Sequence, residues 1–281
     1  MLDKKSYANI IGNIFTRPLD TYDENDPKVF TYFGRKLANF SPISHDMNIL
    51  DIGTGNGAVF YPILEELSHR GCLIGIDISD SLVDQVNTEL LAYKIQNAVV
   101  INMNADNLEF HDEFFDLITC GLSIFFFDNI IKVFTEIKRV LKETGYFTFT
   151  SWLKMDNNQF DWYEEILQKY IPANNYKEVT NTAFKIYKSK NFFSPSDIEK
   201  LLLKNNFKII RLATQEKTFS YSSAQNFWDK LWFIGEKEKL ESIPENKLEA
   251  CKKEIFEKFN SLQGQNGFEF KLRVIYVSCQ K

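Results

Sequence analysis

Asn48-Ile49-Leu50-Asp51-Ile52-Gly53-Thr54-Gly55-Asn56-Gly57 is the stretch on which the fold turns. Its first half, Asn48–Ile52, reads as a short apolar strand. Beyond it Val59, Phe60, Ile63, Leu64 and Leu67 recur at helical spacing. Three glycines alternating with polar residues separate strand from helix. Such a turn lets the backbone take positive φ and pass close to a ligand. The helix behind it offers unpaired N–H groups and the positive end of its dipole. Alone, the motif is ambiguous, because Gly53-x-Gly55-x-x-Ala58 also fits a dinucleotide-binding turn.

Working outward, Cys72–Asp77 is a second buried strand, and Asp77 at its end fits a ribose-binding carboxylate in either reading. Ser79 reads as the N-cap of a helix carrying Leu82, Val83, Val86, Leu90 and Leu91. Ala98–Met103, Phe115–Cys120 and Tyr146–Ser151 are the third to fifth strands. Ile130–Leu141 is an amphipathic helix, with Gly145 ending the turn that follows. Near-continuous apolar strands alternating with helices imply a parallel sheet covered on both faces. Ser194-Pro195-Ser196-Asp197 opens a helix running to Leu203 with Ser194 as cap. Phe207–Phe219 and Phe268–Ser278 read as a terminal hairpin whose strands are separated by helices. The expected fold is α/β, a doubly wound, mostly parallel seven-stranded sheet with a C-terminal antiparallel hairpin and a helical cap and lid. We divide it into an N-terminal helical cap (1–44), a ligand-binding core (45–154), a lid insertion (155–191) and a C-terminal part of the core sheet (192–281).

Composition bounds the function. With 281 residues, 44% of them hydrophobic, the chain can bury one large core. Its 33 basic and 38 acidic residues are dispersed, leaving a net charge of −5 and no basic cluster of the kind a nucleic-acid backbone needs. The Lys/Glu-rich run around Glu236–Lys258 mixes both signs and reads as the solvated face of a helix. Cys72, Cys120, Cys251 and Cys279 form no CxxC pair. Three of them lie in apolar surroundings, so buried free thiols and a cytoplasmic location are expected. No stretch approaches the ~18 apolar residues of a membrane span, and Met1–Lys5 does not start a signal peptide. A small-molecule partner and a monomer or homodimer are expected.

Three features separate the two readings of the glycine turn. Asp51 sits on the strand, two residues before the first glycine, where dinucleotide enzymes rarely place an acid. Asn104-Ala105-Asp106 ends strand three, where an adenine edge would lie. Phe115-Asp116 opens strand four, and Arg139-Val140-Leu141-Lys142-Glu143-Thr144-Gly145 leads into strand five. Together these blocks resemble the class I S-adenosylmethionine (SAM)-dependent methyltransferases, most closely the ubiquinone/menaquinone-biosynthesis type and its small-molecule relatives. Asn104-Ala105-Asp106-Asn107-Leu108-Glu109-Phe110 departs from that pattern in having Glu109 where proline is usual. Glu143-Thr144-Gly145 replaces Pro-Gly-Gly in a surface turn. The likeness covers about residues 45–152, and the C-terminal strands loosely.

The resemblance implies SAM as cofactor and a set of roles. Asp51, Gly53, Gly55 and Asn56 line the methionine end. Asp77 binds the ribose and Ile78 packs on the adenine. Asn104 accepts from the adenine amino group, with Ala105 N–H serving the ring and Asp106 the alternative for the amino contact. Gly121 and Leu122 border the transferable methyl. Ser123 is a candidate for substrate contact. Absences narrow the reaction. No Asp/Asn-Pro-Pro-Tyr block follows strand four, as amino-directed nucleic-acid methyltransferases have. No carboxylate follows Cys120 before Asp128, so no metal is expected. The three histidines, His45, His69 and His111, fall away from the transfer face. Phe125, Phe126 and Phe127 stand where relatives carry a polar residue, so transfer is expected to rest on positioning and desolvation. Tyr22 in the cap is the first choice for an assisting side chain. Trp152, Phe160, Trp162 and Tyr163, with Phe227, Trp228, Trp232 and Phe233, suit either an apolar substrate pocket or ordinary core, Trp152 being the strongest substrate candidate. The expected activity is methyl transfer to a small, largely apolar metabolite at O, N or C. The alternatives are aminopropyl transfer or cyclisation on the same fold, or a non-catalytic SAM- or partner-binding protein.

Overall fold

The computed structural model describes residues 27–154, 159–173, 194–232 and 237–281. Seven strands, β1 (Asn48–Ile52), β2 (Cys72–Asp77), β3 (Ala98–Asn102), β4 (Phe115–Cys120), β5 (Leu141–Trp152), β6 (Lys208–Tyr221) and β7 (Phe268–Gln280), form one sheet. Their order is β3-β2-β1-β4-β5-β7-β6. The first five are parallel, and β7 runs antiparallel between β5 and β6. Parallel neighbours need long crossovers, and the helices supplying them cover both faces. That explains why central strands are apolar throughout: Ile49, Leu50, Leu117 and Ile118 are all fully buried. The winding reverses between β1 and β4, and in such sheets ligands bind beyond the carboxyl ends of the strands at that point.

The crossover helices are α2 (Phe60–Glu66), α3 (Asp80–Ala92) and α4 (Ile130–Val140), with α1 (Val29–Phe40) ahead of β1. On α4, Val133, Phe134, Ile137 and Val140 bury one stripe, as its helical period requires. The expected break after α4 is differently built. The chain enters β5 directly at Leu141, which pairs with Phe115, and pairing resumes at Tyr146 with Leu117. The residues between bulge outward, and Lys142 reaches back to the Asp116 carboxylate at 2.6 Å. Ser194 caps α6 (Pro195–Lys204) as expected, accepting from Asp197 N. Ser79 occupies the N-cap position of α3, but its hydroxyl faces Ser81 Oγ at 3.1 Å rather than a backbone N–H of the first turn.

The β6–β7 hairpin follows its expected limits to within two residues at each end. Trp152, the last residue of β5, pairs with Val274, and Val274 pairs with Gln215. From there the two strands run on as far as the Tyr221–Phe268 pair, so an arm overhangs the carboxyl edge of the sheet. Helices α5 (Asp161–Tyr170), α7 (Ala224–Leu231) and α9 (Glu245–Leu262) gather around this arm, and α8 (Lys237–Glu241) joins α5 through the Lys239–Glu164 ion pair. Their shared core centres on Phe227, whose ring meets those of Phe160, Trp162, Tyr163, Tyr221, Phe259 and Phe268 at 5.1–6.4 Å. Such ring pairs add about 0.5–1.5 kcal/mol each beyond their burial. Four of the eight aromatics weighed as pocket lining, Phe160, Trp162, Tyr163 and Phe227, are therefore part of this cap's core. On α9, Cys251, Ile255 and Phe259 are buried, and the remaining face carries the mixed Lys/Glu run. Cys120 and Cys279 are also buried, Cys72 is half-buried, and all four thiols are free. Among the described residues, no helix is long and apolar enough to cross a membrane.

Candidate functional site

The glycine turn sits at the switch point with Gly53 at φ +69° and Gly55 at φ +57°, a region where side chains bring strain and glycine does not. Gly53 and Thr54 both donate to Ile76 O, at 2.8 and 3.1 Å, tying the turn to the end of β2. Asp77 completes the tie. Its Oδ2 accepts from Gly55 N at 2.8 Å and its Oδ1 from Ser79 N at 3.0 Å. Burial pushes the Asp77 carboxyl above its ordinary value, and the N–H donors of Ser79, Gly55 and Ile78 oppose that shift. A carboxylate offers about four lone-pair sites, so these three backbone donors still leave Asp77 able to accept more. At Gly55 a Cβ would meet nothing within 4 Å, so the turn has an open floor there. Asn56 and Ile78 are half-buried beside this floor and beside Asp77.

Asp51 lies beneath the turn, 1% exposed. Thr119 on β4 stands opposite it in the register and donates to its Oδ1 at 2.7 Å. Thr54 Oγ1 donates to the Asp51 carbonyl at 3.0 Å. Loss of hydration pushes the Asp51 carboxyl up to about 7, because the Thr119 and Thr54 hydroxyls only partly replace water and Asp77 adds a like charge. Thr119 escapes a sequence reading because its partnership with Asp51 exists only once β1 and β4 are paired.

At the end of β3, Ala105 is buried and Asn104 exposed. Asn104 Oδ1 already accepts from Asp106 N at 3.1 Å, leaving one lone pair of that oxygen for a ligand. Asp106 stands 3.7 Å from Lys132 Nζ. At the end of β4, Ser123 Oγ donates to Ile52 O at 3.1 Å, and a Cβ on Gly53 would lie 2.5 Å from that hydroxyl. Ser123 thus packs directly on the first glycine. Gly121 backs onto Val59, which a Cβ there would meet at 2.4 Å. Its neighbour Leu122 is buried and has φ +51°.

The far wall comes from α1. A Cβ at Gly34 would stand 2.3 Å from Ala58 O, so this helix packs backbone to backbone on the residue after the glycine turn. A lone glycine inside a helical pattern was the available signal for that contact. Phe30 and Phe33 of α1 meet the Trp152 ring edge-on at 6.5 and 5.7 Å. Trp152 is half-buried at the end of β5. His45, His69 and His111 are exposed. Tyr22 and Phe233 lie outside the described residues, as does most of the lid insertion. The donor set suits SAM: an open glycine floor, half-buried Asp77 with acceptor capacity, and buried Asp51 to meet a cationic ligand. Among the described residues, no group of three or more His, Cys, Asp or Glu side chains is placed to hold a metal ion.

Comparison with known proteins agrees with this geometry. Residues 50–149 match a family described as a methyltransferase domain. Aklanonic acid methyltransferase of Streptomyces sp. (strain C5) is 28% identical over 150 residues, which are 53% of this chain and 68% of that protein. A ubiquinone/menaquinone biosynthesis C-methyltransferase of Rickettsia felis is 27% identical over 190 residues, 61% of this chain and 73% of the relative. The crystal structure of a SAM-dependent methyltransferase from Aquifex aeolicus shares the fold with a TM-score of 0.53 at 16% identity, over 70% of this chain and 93% of that one.

Proposed function

From the premise that residues 50–149 are a SAM-dependent methyltransferase domain, we propose that this enzyme methylates a small, largely apolar metabolite at an O, N or C atom. One observation carries the reading: Asp77 clasps the amide of Gly55 at 2.8 Å beside a floor where even a methyl group would touch nothing. The turn is held rigid where a nucleoside must lie and left empty where it must enter. In this reading Asp77 accepts from the ribose hydroxyls and Ile78 packs on the adenine. Asn104, Ala105 and Asp106 meet the edge of that ring. Gly53, Gly55 and Asn56 hold the methionine end, above the buried Asp51.

Bound SAM supplies an electrophilic methyl group on a sulfonium. The chain's own residues place the acceptor in line and keep water out. Gly121 and Leu122 border the methyl, Ser123 offers a hydroxyl on the glycine turn, and Trp152 with Phe30 gives an apolar wall backed by the fully buried Phe33. Alignment of two reactants at near-attack distance replaces a bimolecular encounter and supplies much of the lowered barrier. Tyr22 is the proposed assisting side chain of the N-terminal cap. Free, mostly buried thiols support a cytoplasmic location, for a monomer or homodimer acting on a small molecule rather than on nucleic acid. The test is incubation with methyl-labelled SAM and a panel of apolar phenols, carboxylic acids, amines and enolisable ketones. Label entering at least one acceptor, and none without enzyme, is expected. A chain that binds SAM yet labels none of these classes contradicts the substrate reading.

A further inference from the structure

Thr150 lies on β5 two residues before Trp152, 1% exposed, with its side chain turned toward β4. Its Oγ1 accepts from Leu122 N at 2.9 Å. Leu122 is the residue with φ +51°, a left-handed conformation that a leucine seldom adopts and that persists only where its surroundings enforce it. Three further contacts fix the same short segment. Cys120 Sγ lies 3.0 Å from Ser123 Oγ, Ser123 Oγ donates to Ile52 O, and Gly121 is wedged on Val59. None of these acts on the Leu122 backbone itself. Thr150 does, and a valine of the same shape would leave that buried N–H without an acceptor.

We propose that Thr150 is a positioning residue: its hydroxyl holds Leu122 in the left-handed conformation and so sets the segment Gly121–Ser123 against the glycine turn at the methyl-transfer end of the site. This rests on the reading above, in which that segment borders the methyl. Thr150 touches neither cofactor nor acceptor. It acts through the backbone of residue 122, and the strain stored there is released when the acceptor is lost. Relaxation moves the Ser123 hydroxyl away from Gly53. SAM carries the methyl and the positive sulfonium, whereas S-adenosylhomocysteine lacks both. A displaced segment therefore weakens SAM more than S-adenosylhomocysteine, while a general loosening of the fold weakens the two alike.

The experiment is calorimetric titration of SAM and of S-adenosylhomocysteine into the full chain and into Thr150→Val and Thr150→Ser. Thr150→Val is expected to weaken SAM at least tenfold, about 1.4 kcal/mol, and to lower the SAM/S-adenosylhomocysteine affinity ratio at least threefold. Thr150→Ser keeps the hydroxyl and is expected to bind both within twofold of the wild type. Should Thr150→Val fail to fold, Thr150→Ser decides alone, and a tenfold loss of SAM affinity there overturns the assignment. Equal weakening of both ligands in Thr150→Val, or no weakening, also overturns it. Wild-type protein that binds neither ligand defeats the methyltransferase reading itself, and this inference with it.

Discussion

Replacing Asp77 with alanine removes a group doing two things at once, and the structure separates their sizes. Toward the protein, Asp77 accepts from Gly55 N at 2.8 Å and Ser79 N at 3.0 Å. Toward a ligand, its remaining lone pairs face the open side of the glycine turn. Its carboxyl is raised by burial, so ionised Asp77 is held in the fold at a cost. Loss of the charge returns that cost, against two backbone N–H groups that turn to water in a half-exposed site. We therefore expect a modest fall in stability, about 1 kcal/mol, or roughly 2–4 °C in Tm for a domain of this size. The binding effect is larger. Losing even one charge-assisted hydrogen bond to a ribose hydroxyl costs about 1.5–3 kcal/mol, so Asp77→Ala should weaken SAM at least about ten- to a hundredfold. Asp77→Asn, which keeps one acceptor oxygen and the shape, should fall between. Calorimetric titration reads affinity, and a thermal melt checks that the variant is folded. Unchanged SAM affinity in a folded Asp77→Ala would remove this carboxylate from the site.

Other expectations follow from the same residues. Asp51 has its carboxyl raised from about 3.8 to about 7. Because the folded value lies above the unfolded one, the folded state holds the proton more tightly, and this group's contribution to stability falls as pH rises from about 4 to about 7. The slope is about 1.4 kcal/mol per pH unit inside that window. Asp51→Asn should lack this part of the pH dependence, and parallel melting curves for wild type and variant between pH 4 and 7 would contradict it. SAM is cationic and favours ionised Asp51, so SAM should bind more tightly at pH 8 than at pH 6, with proton release visible in buffers of different ionisation enthalpy. Phe227→Ala empties the centre of the cap core, at a cost of about 3–5 kcal/mol. It should impair methyl transfer more than SAM affinity, since the arm overhangs the crevice while the glycine turn stands apart. A variant with normal turnover would exclude the cap from the reaction. Activity should survive EDTA, because no carboxylate follows Cys120 before Asp128. Loss on chelation with recovery on adding magnesium would refute that.

The parallel half of the sheet was legible because each of its strands is an apolar run between turn residues, largely buried except at the β3 edge, and each helix carries its own stripe. The limits of β1, β2 and β4 coincide with the apolar runs. Local pattern placed β6 and β7 within two residues of their limits, but it did not reveal that the pair overhangs the sheet beyond Trp152, since that depends on where β5 stops pairing. Nor did it reveal that Phe160, Trp162 and Phe227 belong to one cap core. Contacts between helices so distant in sequence leave no periodicity. At the site, Asp51, Asp77 and the glycines announce themselves by position after their strands. Thr119, Thr150 and Gly34 do not, because each matters only through a neighbour that the fold brings: Asp51, Leu122 N and Ala58 O. The lid insertion fares differently. Its described helix α5 buries Tyr163, Ile166 and Leu167 and joins Lys169 and Tyr170 to Glu254 of α9. Excising Asn157–Lys188 whole would therefore open a core.

The most direct test of the central claim is native mass spectrometry of the purified full chain, with and without added SAM. One SAM or S-adenosylhomocysteine per chain is expected, retained from the cell or acquired on addition, with lower occupancy in Asp77→Ala at the same sub-saturating ligand concentration. A wild-type chain that stays free of both at millimolar ligand, while folded, would contradict it.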